Sequence, residues 1–189
     1  MSTNLSFPDD SLRSDDEILF EIVDGERKEL EPMGAFENVL AFGLARVIQN
    51  FAEPHRLGLA TVETLFVLRS APLLQRRPDV AFVSRAKLKQ HRIRRASAWD
   101  VVPDLAVEIV SSTNLADETD AKLVDYFAAG VRQVWVIYPE TRRLYVYESL
   151  QTARGHSEDD VIDAAPVLPG FTFRLVDLFN AIENIDDEP

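Results

Sequence analysis

Two carboxylates are embedded in apolar segments of this sequence. Glu108 lies in the middle of DLAVEIV, and Asp79 begins DVAFV directly after Pro78. Because side chains alternate between the two faces of a strand, Glu108 shares its face with Ala106 and Val110. Burying an unpaired carboxylate is costly, so each of these two acids needs a nearby cation, either a basic side chain or a metal ion.

If the two segments form neighbouring strands, their carboxylates converge. Like charges side by side are tolerated only when one group is protonated or when a cation lies between them. Oxygen ligands alone suit a hard cation such as Mg²⁺ or Mn²⁺. From the residues alone, a structural salt bridge explains either carboxylate equally well, so ion pairing and metal binding both stay open.

The elements around these acids predict a mixed sheet with helices packed on it. Residues 18–30 are typical of a hairpin that turns at Asp24-Gly25. The step from the strand at 104 through a helix to the strand ending at 138 is a crossover, which predicts a parallel pair. The earlier strands follow one another closely and are predicted to be antiparallel. Strands are predicted at 58–68, 79–83, 104–110, 131–139, 142–148 and within 167–179, and helices at 34–51, at 114–129 (capped by Asn114 and stopped by Gly130) and near 179, with a charged loop and a helical turn over 84–100.

The length and composition indicate one domain with two tails. The 189 residues suit a single domain, predicted over 15–182, with a disordered tail at 1–14 and an acidic tail at 183–189. The chain has no cysteine, which excludes a disulfide framework, a cysteine nucleophile and a thiolate zinc site. It has neither a membrane-length apolar run nor a signal peptide at its start, so we expect a cytoplasmic protein that does not bind membranes.

The charge is unevenly distributed along the chain. A net charge of −12 argues against a protein that coats nucleic acid, because the phosphates would repel it. Residues 76–95 differ, since they hold eight of the twenty lysines and arginines. Charge alone favours a solvated loop here over a phosphate-binding edge. The candidate nucleic-acid-binding residues are Arg76, Arg77, Arg85, Lys87, Lys89, Arg92, Arg94 and Arg95.

Several stretches together resemble a known family. They are RPDVAFV, PDLAVEIVSSTNLADETDAKLVDYFAAGVRQVWVIYPETRRLYVY, FEIVDGE and VLPGFTF, and the resemblance extends over roughly residues 17–180. They are similar to the PD-(D/E)xK nuclease superfamily and, within it, to its Uma-two branch of bacterial endonucleases. The resemblance implies an α/β (α+β) fold of the restriction-endonuclease-like type, in which a mixed β-sheet is flanked by helices and preceded by an N-terminal β-hairpin.

The resemblance also implies a metal-dependent active site. By motif position, the metal-binding acids of the superfamily correspond to Asp79 and Glu108, and the backbone carbonyl of Ile109 is a further metal ligand. The superfamily lysine usually lies two residues after the second acid, where this chain has Val110. In the Uma-two branch the lysine is moved to the following helix, where the matching catalytic residue is Lys122.

Lys122 and one further acid also have simpler explanations. Glu118 precedes Lys122 by four residues, the favourable order for a helical ion pair worth ~0.3–0.5 kcal/mol. Without the resemblance this pair is the better explanation of Lys122, and with the resemblance we favour catalysis. Glu37 lies on the helix before the core strands, where the superfamily often has an acid facing the metal, but a solvated helix position explains it at least as well.

Three functions are consistent with this reading. The first is an endonuclease that uses Mg²⁺ or Mn²⁺ to hydrolyse phosphodiester bonds of nucleic acid, with DNA as the family-level expectation. The second is a catalytically inactive module of the same fold that binds nucleic acid or a protein partner, which the missing lysine at 110 and the acidic surface keep open. The third is a structural homodimer in which VWVIY or the hairpin pairs across a two-fold axis.

Overall fold

The computed structural model describes residues 18–91, 93, 95–111 and 116–183, which form three sheets and four helices. The helices are α1 (Ala35–Ala52), α2 (Arg85–Gln90), α3 (Ala116–Ala129) and α4 (Leu175–Glu183). The strands are β1 (Phe20–Val23), β2 (Glu26–Glu29), β3 (Gly58–Val62), β4 (Phe66–Ser70), β5 (Leu73–Arg76), β6 (Val80–Ser84), β7 (Leu105–Ile109), β8 (Gln133–Tyr138), β9 (Arg143–Ser149), β10 (Thr152–Ser157), β11 (Val161–Asp163) and β12 (Thr172–Arg174).

A six-stranded mixed sheet lies at the centre, with the strand order β10-β9-β8-β7-β6-β3. β7 and β8 are parallel, with α3 as their crossover, and β3, β6 and β7 pair antiparallel. Both features agree with the pairing predicted from the sequence. β8 contains VWVIY and is hydrogen-bonded to a strand on each side. The prediction that VWVIY pairs across a two-fold axis is therefore wrong, because β8 has no free edge.

A second sheet, in the order β2-β1-β5-β4, holds the N-terminal hairpin. The hairpin turns at Asp24 and Gly25, both of which have positive φ, as the sequence predicts. β2 is an edge strand of this sheet, so dimer pairing through the hairpin stays a prediction. The single strand predicted at 58–68 is wrong, because the chain turns at Glu63, which has a φ of 45°, and divides into β3 and β4 in different sheets. The sequence analysis also missed β5, β10 and β11.

The central sheet is packed on both faces, and this arrangement decides which way each strand residue points. Leu105, Val107 and Ile109 of β7 pack on the side covered by α1 and α4. Ala106 packs on the other side, against residues of α3. Since Glu108 shares the face of Ala106, its side chain is directed towards α3. The core thus places the embedded carboxylate opposite the helix that carries Lys122.

The remaining predictions concern the helix ends and the tails. Gly130 has a φ of 96° directly after α3, which agrees with its predicted role as the helix stop. Asn114, the predicted cap, and the tail at 1–14 lie outside the described residues. Glu183, placed in the acidic tail, is the last residue of α4. The described part of the chain contains no helix that is both long and apolar enough to cross a membrane.

The pairing of β3 with β6 depends on Gly58. A Cβ atom at this position would lie 2.2 Å from the carbonyl oxygen of Val83, a backbone atom that cannot move aside cheaply. We expect Gly58→Ala to lower the free energy of unfolding by about 2 kcal/mol or more, measured by urea denaturation. Gly43→Ala is the matched control. Gly43 lies inside α1, and a Cβ atom there would meet only an ordinary contact. This variant should therefore raise the free energy of unfolding by up to about 1 kcal/mol. Equal effects of the two variants would contradict this account.

Candidate active site

Asp79 and Glu108 meet on neighbouring strands. β6 and β7 pair antiparallel, with Val80 opposite Val107. Continuing this register by one residue brings Asp79 opposite Glu108. The backbone N–H of Ile109 donates a hydrogen bond of 2.5 Å to Asp79 Oδ2, which connects the two strands at this point. The convergence expected from the sequence is therefore present in the structure.

Ile109 also directs a backbone oxygen towards this point. Val110 donates its N–H to the carbonyl of Ile137 on β8, whereas the N–H of Ile109 points the other way, towards Asp79. In an extended strand the carbonyl of a residue points to the same side as its N–H. The Ile109 carbonyl is thus directed towards the side of the strand where Asp79 lies. This is the direction that the predicted backbone metal ligand requires.

The Glu108 carboxylate is held by two donors from α3. It is 6% exposed, and its Oε1 accepts a hydrogen bond of 2.6 Å from the hydroxyl of Tyr126. Its Oε2 accepts one of 2.6 Å from Nζ of Lys122. The lysine on the helix therefore reaches the strand carboxylate. The alternative partner Glu118 lies on the exposed side of α3, where it lines the cavity described below.

Lys122 lies between two carboxylates. Besides Glu108, its Nζ lies 3.9 Å from Oε1 of Glu21, a residue of β1. Burial by itself lowers the pKa of Lys122, but the charges of Glu108 and Glu21 raise it, and the net result is a pKa above the ordinary value. Lys122 is therefore a protonated cation and hydrogen-bond donor in this arrangement.

Glu21 is a site residue that the sequence analysis missed. It is 1% exposed and accepts hydrogen bonds from the Arg76 guanidinium, at 2.6 Å, and from the backbone N–H of Arg77, at 2.8 Å. The signal that could have found it is the one that identified Glu108, since Glu21 is also a carboxylate inside an apolar strand, FEIV. No comparable sequence signal points to Tyr126, because a tyrosine at helical spacing is usually a packing residue of the hydrophobic core.

The carboxyl group of Asp79 has a strongly perturbed pKa. Burial, followed by the nearby charge of Glu108, raises the pKa of Asp79 to about 8 from its ordinary 3.8. The hydrogen bond from Ile109 and the charge of Lys122 act in the opposite direction but do not compensate. An additional cation at this point would offset the repulsion between the two carboxylates.

A cavity of about 880 Å³ opens over the two carboxylates. It is bounded by the hairpin β1–β2, the first turn of α1 and the first turns of α3, and Val110 is part of its wall. Among the described residues, the charged side chains of its lining are mainly acidic. The acids are Glu21, Glu29, Glu31, Glu37, Glu63, Asp79, Glu108 and Glu118, and the bases are Lys28, Arg76, Arg77 and Lys122. Glu37 thus lies in the same cavity as Asp79 and Glu108, on the side of α1.

The two arginines before Asp79 donate hydrogen bonds to other residues of the protein. Arg76 is 7% exposed and donates to Glu21 and, at 2.5 Å, to Oδ2 of Asp125. Arg76 lines the cavity, so its predicted contact with a nucleic-acid phosphate stays a prediction, although two ion pairs already engage the guanidinium. Arg77 donates to the carbonyl of Glu63 at 2.5 Å and is half-buried. Since Arg77 also lines the cavity, its phosphate contact stays a prediction.

The rest of the basic segment lies away from the carboxylates. Asp79 precedes β6 and Arg85 follows it, so an extended strand separates their Cα atoms by about 20 Å. Lys87 donates to the carbonyl of Val102 at 2.8 Å and pairs with Asp104 at 3.2 Å. The cavity is not lined by Arg85, Lys87, Lys89 or Arg95, and Arg92 and Arg94 lie outside the described residues. These described residues therefore lie outside the cavity, and their contacts with nucleic acid stay a prediction.

The donor set suits a hard divalent cation. Two carboxylates and one backbone carbonyl converge, and all three supply oxygen. The described residues contain no cluster of three or more histidine or acidic side chains that would form a complete metal site. A cation bound between Asp79 and Glu108 would lower the raised pKa of Asp79.

Comparison with known proteins identifies the family of the chain and its fold. The model of the Uma2 family, described as a putative restriction endonuclease, matches residues 8–177. The fold is similar to the crystal structure of a putative nuclease belonging to DUF820 from Anabaena variabilis ATCC 29413, with a TM-score of 0.74 and 16% identity over 85% of this chain and 89% of that one. No curated protein matches the chain. The restriction-endonuclease-like fold inferred from the sequence is confirmed by these two likenesses.

The raised pKa of Asp79 predicts a pH-dependent stability. Because the folded state holds the proton more tightly, the contribution of Asp79 to stability is present below about pH 4 and is lost as the pH rises through about 8. Asp79→Asn cannot ionise and can still accept the hydrogen bond from Ile109. We expect this variant to exceed the wild type in unfolding free energy by at least about 1.4 kcal/mol at pH 9 and to match it near pH 4. Urea denaturation in EDTA at both pH values measures this, and a difference independent of pH would contradict it.

Tyr126 offers a second test of the site. Its hydroxyl is the donor to Glu108 Oε1, and the ring is fully buried. Tyr126→Phe should cost about 1.5–3 kcal/mol of unfolding free energy, since it removes a hydrogen bond to a charged group in the interior. Tyr145→Phe is the control, because that ring packs edge-on against Tyr138 on another part of the sheet and should change little. Equal losses in the two variants would contradict a hydrogen bond from Tyr126 to Glu108.

Proposed function

Because the chain belongs to the Uma2 restriction endonuclease family, we propose that it is a divalent-metal-dependent endonuclease that hydrolyses phosphodiester bonds of nucleic acid. The supporting observation is the convergence of Asp79, Glu108 and Lys122 at one cavity. The fold alone does not carry the proposal, since one fold hosts many functions. The residues that would act are Asp79, Glu108 and Lys122, whose charged groups all line this cavity.

Asp79, Glu108 and the carbonyl of Ile109 would hold Mg²⁺ or Mn²⁺. When bound, such a cation lowers the pKa of a coordinated water and offsets charge on the scissile phosphate. Asp79 would give up its proton to the solvent when the cation arrives, because the positive charge replaces the repulsion from Glu108 by attraction. Glu108 stays in position because Tyr126 and Lys122 hold its two oxygens from α3.

Lys122 would supply a fixed positive charge beside the phosphate. Its ammonium remains protonated at neutral pH, so it can donate hydrogen bonds to a phosphate oxygen or to the attacking water. It acts in the low-dielectric surroundings where such donors contribute most to stabilising developing negative charge. Proton removal from the water therefore falls to a group other than Lys122.

We propose DNA as the substrate, following the description of the family. The cavity offers a phosphate few free cations, since acids outnumber bases in its described lining by eight to four. Binding should thus be weak and should decline as salt is added. A divalent cation that enters with the phosphate would reduce this repulsion.

The second candidate is a catalytically inactive module of the same fold. The acidic lining of the cavity favours it, because a basic peptide complements eight carboxylates better than nucleic acid does. On this account the Lys122–Glu108 ion pair is a structural contact. Persistent binding of nucleic acid or a protein partner without cleavage, across several metals and substrates, would support it.

Neutral variants of the three groups test the nuclease proposal. Supercoiled DNA, single-stranded DNA and RNA are incubated with the protein and Mg²⁺ or Mn²⁺, and cleavage is followed on gels. Asp79→Asn and Glu108→Gln should abolish cleavage, since they remove the charges that hold the cation. Lys122→Met should lower kcat by about 10²-fold, which is typical for loss of one donor to a developing oxyanion.

The control is Asp120→Ala, an exposed acid on the same helix that does not line the cavity. It should cleave like the wild type. Calorimetry supplies a readout that needs no substrate, because Mn²⁺ should bind to the wild type and Asp120→Ala and not to Asp79→Asn. Full cleavage by Asp79→Asn or Glu108→Gln would disprove the site, and cleavage in excess EDTA would disprove the requirement for metal.

A further inference from the structure

Glu21 has an environment that the metal site does not require. It lies on β1 in the sheet that contains the hairpin, whereas Asp79 and Glu108 are presented by the central sheet. Even so, it is buried and lines the same cavity. A carboxylate is costly to bury, so its retention here needs a reason beyond packing.

Both oxygens of Glu21 are held by the chain around β5. Oε2 accepts from NH1 of Arg76 at 2.6 Å, and Oε1 accepts from the backbone N–H of Arg77 at 2.8 Å. Arg76 is itself anchored on α3, because two of its guanidinium nitrogens donate to Oδ2 of Asp125 at 2.5 and 2.8 Å. Glu21 therefore has little freedom to turn, and its Oε1 is a fixed negative charge at the cavity.

The same oxygen faces the catalytic lysine. Nζ of Lys122 lies 3.9 Å from Glu21 Oε1 and 2.6 Å from Glu108 Oε2. The ammonium is thus hydrogen-bonded to Glu108 and attracted by Glu21, which comes from a different sheet. Asp125 follows Lys122 by three residues, so the Arg76 pair ties the backbone of this helical turn to the same cluster.

The position of Glu21 beside Lys122 becomes important when Glu108 binds a divalent cation. A cation at Glu108 repels the Lys122 ammonium, which contacts the same carboxylate, and weakens the hold of Glu108 on it. Oε1 of Glu21 lies 3.9 Å from Nζ of Lys122, and Glu21 is not among the residues proposed to hold the cation. Its charge is therefore still available to retain the ammonium beside the reacting phosphate.

We propose that Glu21 is a positioning residue that keeps the ammonium of Lys122 in the site when the cation is bound, with Arg76 fixing Glu21 in turn. This inference rests on the proposed nuclease function. It makes the N-terminal hairpin part of the active site, although the hairpin contributes no group that touches the reacting atoms. A merely structural Glu21 would join the two sheets and have no specific effect through Lys122.

A double-mutant cycle on cleavage distinguishes these roles. Glu21→Gln should lower kcat about tenfold or more with KM changed less than about threefold, because it acts on the transition state through Lys122. In the Lys122→Met background the same substitution should change kcat by less than about twofold. Glu26→Gln is the matched control, an exposed glutamate of the same hairpin outside the cavity, and should behave as the wild type.

A second cycle needs no activity and separates this proposal from the nuclease proposal. The unfolding equilibria of the wild type, Glu21→Gln, Lys122→Met and the double variant are measured by urea denaturation at one pH, with and without Mn²⁺. We expect the effects of the two substitutions to be coupled by about fivefold or more in the unfolding equilibrium constant, most clearly with Mn²⁺ present.

Each result has a definite meaning. Multiplicative effects on kcat, or wild-type activity of Glu21→Gln, would overturn the positioning role. A wild type that cleaves nothing would disprove the nuclease proposal, and additive unfolding effects would then separately disprove the contact of Glu21 with Lys122. If Glu21→Gln does not fold, Glu21→Asp replaces it in both cycles. It keeps a charge for Arg76 but withdraws the oxygen from Lys122, and should show the same loss of kcat that vanishes in the Lys122→Met background.

Discussion

Glu108 is buried in the central sheet of this protein, and an unpaired carboxylate there would be strongly destabilising. The structure compensates for it with a cation and a hydroxyl, both delivered by α3. That requirement fixes how α3 is rotated on the sheet, because Lys122 and Tyr126 must both face β7. Since the helix is also the crossover between β7 and β8, this contact lies within the β7–α3–β8 unit.

Further ion pairs connect Lys122 to the residues around it. Lys122 is shared with Glu21, Glu21 is paired with Arg76, and Arg76 is paired with Asp125 on the same helix as Lys122. The chain of contacts returns to α3, so the hairpin sheet and the central sheet are joined by buried ion pairs. Such pairs add little net stability compared with apolar packing, but removing one member leaves an uncompensated charge. They define the geometry of the site more than they stabilise the fold.

Asp79 is the member for which no basic side chain fully compensates. Its raised pKa shows that burial and the Glu108 charge together exceed the help from Ile109 and Lys122. A group in this state favours a proton, and in our proposal a metal ion takes the place of that proton. The acidic side chains that line the cavity act in the same direction, because together they attract cations and repel a bare phosphate.

The sequence by itself determined the parts of this protein that depend on local pattern. Alternation along two strands identified Asp79 and Glu108, and helical spacing and Gly130 located α3. The helical crossover predicted the parallel pair, and the short connections predicted the antiparallel ones. The lysine on α3 came from the family resemblance. The tertiary structure alone decided which charges are paired: Glu21 meets Arg76 across 55 residues of chain, and composition gave no indication of that ion pair. Local pattern shows that a charge must be compensated, but its partner is chosen by how the sheets and helices pack, and that packing brings together residues with no regular spacing in the sequence.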